Sequence, residues 1–403
     1  MKVLLVGSSP DAGLLYHPVR LAIALRSLGA DVLVATRGGK ALSPTLFDDL
    51  EAADVRHWQS HVLEYAGPRA LLRWDAGLRR RLGDWKPHIV HVHGPISLLQ
   101  LRMHAPSPPF PRFVATIQAM GHEHRGGLRR LIGGGLGSRA LNLFADSVVA
   151  LCEAERTRLT DLGVSPSKLE VAYNSMDVDD ILEQAVNFRV VKASVLESLG
   201  LPTSSFLLGC FANFQRRKRQ DLLLEAFRTE LSRHPRWVLL LAGQGERRAE
   251  LEEAVVRLQL SSSVRIIDRL PSDRVYGWQA ACDAIAHASN AETFCFSVVE
   301  PLILGKRLIA TTVGVGAELA PAPLVRLIPP DDLEALREAL EALMEETERG
   351  APETDAVQRS LKFCRQKFSV DVVARRYLDI YEECLARGDR HGPATAASHG
   401  VRP

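Results

Sequence analysis

The chain has 403 residues, 46% hydrophobic and 24% charged, with a formal net charge of +2. That length fits two domains of roughly 100–200 residues each. A charge so near zero excludes the global basic field of a dedicated nucleic-acid binder, and six cysteines with no C-x-x-C pair exclude a zinc ribbon or thioredoxin-type centre.

The cysteines, at 152, 210, 282, 295, 364 and 384, are too few for a disulfide framework in a chain this long, so reduced, mostly buried thiols in a cytoplasmic protein are expected. The opening run MKVLLVGSSP is too short for a signal-peptide core and reads as a buried strand, Lys2–Val6. No stretch approaches the ~20 apolar residues that span a bilayer, so a protein not integral to a membrane is expected.

After the first strand comes a turn-rich loop, 7–13. The spacing of Val19, Ala22, Leu25 and Leu28 predicts a helix over His17–Leu28, closed by Gly29, and Asp31–Thr36 is the next strand. Strand, helix, strand with both strands apolar throughout is a βαβ unit, hence a parallel sheet covered on both faces. Further strands are predicted at His88–His93, Arg112–Thr116, Ser147–Leu151 and Leu169–Tyr173, with a helix over Glu153–Leu162.

The stretch 178–204 lacks a strand pattern and reads as a connection. A second series follows: strands Phe206–Ala212, Trp237–Ala242, Val264–Ile267, Ala284–Ala288 and Arg307–Thr311, with helices over Gln220–Glu230 and Arg248–Gln259. Phe368–Leu385 reads as one long amphipathic helix, and the Gly/Ala/Ser/His-rich tail as disordered. The expected division is 1–180, 181–365, a C-terminal helix 366–387 packing back on the N-terminal domain, and a tail 388–403. The fold class is α/β, two doubly wound parallel-sheet domains. Ligands of such sheets bind outside the carboxyl ends of the strands, so the cleft between the domains is the expected active site.

The segment from Asp283 to Glu318 is the richest in chemistry. A buried strand ends near Ala288, a short loop carries Glu292, a helix starts near Phe296–Ser297 and carries Glu300, and Gly305 stops it. Another strand and a Gly314-Val315-Gly316 turn follow. A helix N-terminus offers free N–H groups and a positive dipole end to an anion. A diphosphate would sit on the amides around Phe296 and Ser297. Glu300 would accept hydrogen bonds from a ribose diol, and Glu292 from sugar hydroxyls.

This segment resembles the E-x7-E motif of family 4 retaining glycosyltransferases of GT-B fold. Glu292 and Glu300 match its glutamates, Gly305-Lys306 its G-K, and Gly314–Glu318 its G-G-x-P-E turn. Further resemblances are Leu207–Phe227 to the strand–loop–helix that supplies a phosphate-binding lysine, Ala242–Gly245 to A-G-x-G, Asn174–Asp177 to N-G-x-D, and Lys86–His93 to K-P-D-V-V-H-x-H.

The resemblance implies a nucleotide-diphosphate-sugar donor, UDP-sugar favoured and GDP-sugar next, no cofactor and no obligatory metal. It implies transfer with retention to a glycan, lipid-linked or small-molecule acceptor. Lys218, with Arg217 or Arg216, would neutralise the leaving diphosphate, as developing charge requires a fixed cation. Glu292 would orient and support the sugar, and Gln118 would replace a family histidine near the acceptor. Asn213, Gly245, Phe294 and Gly13 complete the implied donor contacts.

This chain departs from the pattern at Thr293 and Cys295, where the family commonly has glycine, at Asn213, and at Gln118, which cannot carry a proton. His122 and His124 lie close by in sequence. An alternative reading is a non-catalytic partner subunit or a nucleotide-sugar epimerase on the same fold. A nicotinamide-dependent enzyme is excluded, since Gly7–Gly13 is not G-x-G-x-x-G.

Arg69, Arg73 and Arg79–Arg81 interleave with Leu71, Leu72, Trp74 and Trp85, the composition of an interfacial helix, so docking on the inner face of the cell membrane through the N-terminal domain is an expectation. His91 and His93 share one strand face, which is the geometry of a metal pair, but the reading preferred is strand-end residues near the cleft.

Overall fold

Strands that are apolar on both faces need cover on both faces, and the chain arranges them in two parallel sheets. The computed structural model describes residues 1–7, 12–37, 44–60, 76–93, 95–104, 111–117, 127–187, 192–271 and 274–389. The chain divides into two units. The first comprises Met1–Ala150, Arg158–Ser175 and Val370–Pro403, and the second Leu151–Thr157 and Met176–Ser369.

The first unit holds β1 (Lys2–Gly7), β2 (Asp31–Arg37), β3 (Arg56–Ser60), β4 (Ile89–His93), β5 (Arg112–Thr116), β6 (Ser147–Ala150) and β7 (Leu169–Val171). They form one parallel sheet in the order β3-β2-β1-β4-β5-β6-β7. Val3 is in register with Val32 on one side and Ile89 on the other. One face packs Val3, Leu5 and Val114 against Val19, Leu25, Tyr377 and Tyr381; the other packs Leu4, Val6 and Phe113 against Leu98, Leu141 and Leu159. Helix Val370–Asp389 covers the first face beside helix Ala12–Ser27.

The second unit holds β8 (Phe206–Phe211), β9 (Trp237–Ala242), β10 (Val264–Ile267), β11 (Ala284–His287), β12 (Arg307–Thr311) and β13 (Val325–Ile328). Their order is β10-β9-β8-β11-β12-β13, again all parallel. In both sheets the order runs outward from the first strand and then reverses: between β1 and β4 in one, between β8 and β11 in the other. A doubly wound sheet opens a crevice at that reversal, at the carboxyl ends of the strands.

Two features correct the sequence reading. The expected single helix Phe368–Leu385 is two helices, Thr354–Phe368 and Val370–Asp389, with Ser369 extended (φ −59, ψ 150) between them. The break leaves the Phe368 carbonyl without a helical donor, and it accepts from the Met176 N–H at 2.7 Å instead. The sequence pattern also omitted β3 and β13, each at one edge of its sheet. Stretch 178–204 carries two helices, Val178–Asn187 and Lys192–Ser198. Five of the six cysteines are buried and Cys295 is half-buried.

Candidate active site

The site is built within the second unit, where β8 and β11 diverge. β8 ends at Phe211 and runs into a loop whose 3-10 turn, Arg216–Lys218, precedes helix Gln220–Glu230. β11 ends at His287 and runs through a loop into helix Phe296–Ile303. The Asn290 N–H donates to the Arg217 carbonyl at 2.8 Å and joins the two loops.

Glu292 is the hub. Its Oε1 lies 2.6 Å from Lys218 Nζ and its Oε2 2.6 Å from Arg217 Nη1, which also donates to the Ala291 carbonyl at 3.2 Å. The Glu292 side chain is 6% exposed and that of Lys218 10%. Burial alone would push a carboxyl up, but the Lys218 and Arg217 charges outweigh it and hold Glu292 below its ordinary value. Burial likewise works to lower Lys218, yet the Glu292 carboxylate beside it leaves its ammonium raised. Glu292 and Lys218 are therefore both charged at neutral pH.

Glycines let the backbone close behind this cluster. Gly314 has φ +56, and a Cβ there would stand 2.8 Å from both Glu292 Cβ and the Phe294 carbonyl oxygen. Gly245, at φ +153, has the same role for the lysine loop, since a Cβ would meet the Phe214 carbonyl at 2.5 Å. The Phe214 N–H donates to the Gln244 carbonyl at 2.8 Å, so the Gly243–Gly245 turn braces the loop that carries Arg217 and Lys218.

Helix Phe296–Ile303 starts from Cys295, which sits at φ +82, ψ 86 and offers no side-chain cap. The Cys295 thiol lies 3.5 Å from Ser297 Oγ, and burial pushes it up to about 11, so it stays neutral. Pro301 inside the helix has no N–H for the Ser297 carbonyl four residues back. His287, under the cluster, bonds to the Ser297 backbone; its burial, with Lys218 adding to it, lowers the imidazole to about 3 and keeps it neutral. On the same helix, Glu300 Oε2 accepts from Gln279 Nε2 at 2.7 Å.

The other sequence-predicted residues take distinct places. Asn213 is exposed, with its carbonyl accepting from Gln220 Nε2 at 3.0 Å. Phe294 is a core residue, edge-on to Phe296 and Phe368, and its carbonyl accepts from the Val315 N–H. Phe296 and Ser297 are half-buried in the first turn of their helix. Glu318 is structural: it accepts from the Glu153 N–H at 2.8 Å and pairs with Lys367 at 2.9 Å. Gly13 lies in the first turn of helix Ala12–Ser27. Gln118, His122, His124, Arg69, Arg73 and Trp74 lie outside the described residues.

The sequence reading missed Gln279, His287 and Arg247. The Arg247 guanidinium is buried between Asp221, 3.0 Å away, and Glu250, 2.5 Å away, which raise it further. Only the tertiary fold reveals these three. In the first unit, His91 is engaged on both ring nitrogens, by Tyr381 OH and Thr116 Oγ1, each at 2.7 Å. Among the described residues no group of three His, Cys, Asp or Glu side chains is placed to hold a metal ion.

A parallel doubly wound sheet carries a buried lysine, a partly exposed arginine and a carboxylate at its reversal point, where such sheets bind their ligands. Two family models match the chain: Glycosyl transferases group 1 over residues 192–355 and Glycosyltransferase Family 4 over residues 13–180. The chain belongs to the group 1, family 4 glycosyltransferases, enzymes of GT-B fold. An exopolysaccharide phosphotransferase of Streptomyces coelicolor is 26% identical over 88% of this chain, which spans only 35% of that protein's length. A D-inositol 3-phosphate glycosyltransferase of Xylanimonas cellulosilytica is 24% identical, over 94% of each chain. The crystal structure of Anabaena HepE with UDP and glucose superposes with a TM-score of 0.75 at 18% identity, covering 95% of this chain and all of that one.

Proposed function

We propose that this glycosyltransferase moves a hexose from a nucleotide-diphosphate sugar to a hydroxyl acceptor with retention of anomeric configuration. The observation that carries the reading is the Lys218–Glu292–Arg217 cluster at the β8/β11 reversal, beside the N-terminus of helix Phe296–Ile303. The donor's diphosphate would lie on the amides of Phe296 and Ser297 and share Lys218 and Arg217 with Glu292. As the glycosidic bond breaks, the diphosphate gains charge, and two cations already in place stabilise it without reorganisation.

Glu292 cannot act as a covalent nucleophile while both its oxygens hold cations, and its role is to keep those cations aimed and to support the electron-poor sugar. The acceptor hydroxyl attacks on the face the diphosphate leaves, and a diphosphate oxygen takes its proton. Glu300 receives the ribose diol of the nucleoside. Because Lys218 and Arg217 supply the charge, no metal is required for turnover.

UDP-sugar is the preferred donor and GDP-sugar the next; the UDP and glucose held by HepE support that order. The acceptor class is a glycan, a lipid-linked sugar or a small molecule such as a sugar or cyclitol phosphate, in line with the D-inositol 3-phosphate relative. No described helix is long and apolar enough to cross a membrane. Exposed Arg79, Arg80 and Arg81 on helix Ala76–Trp85 support a peripheral position on an anionic cytoplasmic leaflet.

The test is a thermal-shift screen of UDP-, GDP- and ADP-sugars, since a ligand of the folded state raises its stability. Turnover with the selected donor in EDTA follows, with the anomeric coupling of the product read by NMR. An inverted product, or loss of turnover in EDTA, would overturn the retaining or the metal-free part; absence of any donor shift would overturn the whole.

A further inference from the structure

The carboxylate of Glu300 is held from within the protein. Gln279, on helix Val275–Ala281, is fully buried, and its Nε2 donates to Glu300 Oε2 at 2.7 Å. Its Oε1 is also buried and has no hydrogen-bond partner among the described residues. An unmet buried carbonyl costs about 1–3 kcal/mol, and a leucine or methionine of similar volume would avoid that cost. The one bond this buried amide makes among the described residues is the one to Glu300.

The orientation of that amide is not ambiguous. The NH2 end faces Glu300 and donates to its Oε2, and the carbonyl faces away. The two helices that carry the pair flank β11: helix Val275–Ala281 enters it through Cys282, and helix Phe296–Ile303 follows its loop. Gln279 thus fixes the plane of a carboxylate that stands one turn inside the anion-binding helix end. A ribose cis-diol presents two O–H donors side by side and binds best to a carboxylate whose plane is already set, because no rotamer freedom is then lost on binding.

We propose that Gln279 is a positioning residue for the donor: it orients Glu300 to take both hydroxyls of the nucleoside ribose. This rests on the reading of Glu300 as the ribose acceptor.

The measurement is the ratio of Kd for 2′,3′-dideoxy-UDP to Kd for UDP, by calorimetry on the full-length protein. It is taken for wild type, Glu300→Ala, Gln279→Met and Gln279→Asn. Methionine keeps the volume and removes the donor; asparagine keeps the amide and shortens its reach, and serves should the methionine variant not fold. Wild type should bind UDP about tenfold or more tighter than the dideoxy analogue, the worth of a pair of charge-assisted hydrogen bonds. Glu300→Ala should bring the ratio to about one, and each Gln279 variant should cut it at least about threefold while leaving binding of the dideoxy analogue unchanged. A ratio that survives in the Gln279 variants but not in Glu300→Ala overturns the positioning role alone. Equal weakening of both ligands in the Gln279 variants shows a merely structural role and also overturns it. A ratio unchanged in Glu300→Ala removes the ribose reading, and this inference with it.

Discussion

Lys218 and Glu292 meet at 2.6 Å with both side chains almost out of solvent, and Arg217 takes the other oxygen of the same carboxylate. The two basic residues lean on one acid, so the partners are not equivalent.

Glu292→Gln leaves Lys218 buried with its counter-charge gone, which costs about 3–5 kcal/mol. Lys218→Met still leaves Glu292 with Arg217 and costs less. The double variant Lys218→Met/Glu292→Gln should be more stable than Glu292→Gln alone. Urea unfolding of the three variants measures this; a Lys218→Met protein less stable than Glu292→Gln would refute the hub assignment.

Donor binding should depend on Arg217 and on salt. Arg217→Ala is expected to raise the Kd of UDP about tenfold, equivalent to about 1.4 kcal/mol. It should also flatten the loss of affinity between low and high salt, since a partly exposed cation is screened. Calorimetry at two ionic strengths decides it, and an unchanged Kd would take Arg217 out of the site.

Gly314→Ala should damage the site through the backbone. An L-residue at φ +56 costs about 1–2 kcal/mol. The added methyl also meets Glu292 Cβ and the Phe294 carbonyl, neither of which can swing aside. A lower Tm together with lost UDP binding is expected; a variant with wild-type Tm would show that the loop yields.

The first unit should weaken on mild acidification. Burial, with the His93 charge adding to it, lowers His17 to about 3, and burial lowers His93 to about 4 although its Nδ1–H bond to the Val6 carbonyl works the other way. Against an ordinary value of 6.5, the unfolded chain binds more protons throughout that interval. Stability is therefore full above about 6.5, falls as pH drops toward about 4, and each unit of depression is worth about 1.4 kcal/mol. Tm against pH for wild type and His93→Gln tests it: the variant should slope less between pH 6.5 and 4, and identical slopes would contradict the assignment. Glu292 is also shifted down, and its contribution to stability has the same sense. A depressed carboxyl stabilises above its unfolded value, and that contribution goes as pH falls through the folded one.

Much of this fold was legible because buried parallel strands are apolar on both faces. Phe206–Phe211 and Trp237–Ala242 announce themselves that way. Arg56–Ser60 does not: it is an edge strand, half wetted, and its Arg-His-Trp-Gln-Ser reads as loop. Glu292 and Glu300 were readable from their spacing around a helix start. Lys218 was readable as a cation but not as a buried one, since a run of four basic residues has the composition of a solvated turn. Gln279 carried no signal, because its meaning comes from one contact with a residue on another helix.

The C-terminal helix has a consequence for biosynthesis. Tyr377 and Tyr381 complete the core around His91 in the first unit, yet they are translated after the whole of the second. While the ribosome makes residues 176–369, the first sheet waits with one apolar face unfilled, and chaperones have a defined surface to guard during that interval. A premature stop near residue 370 would therefore injure the half of the molecule made first.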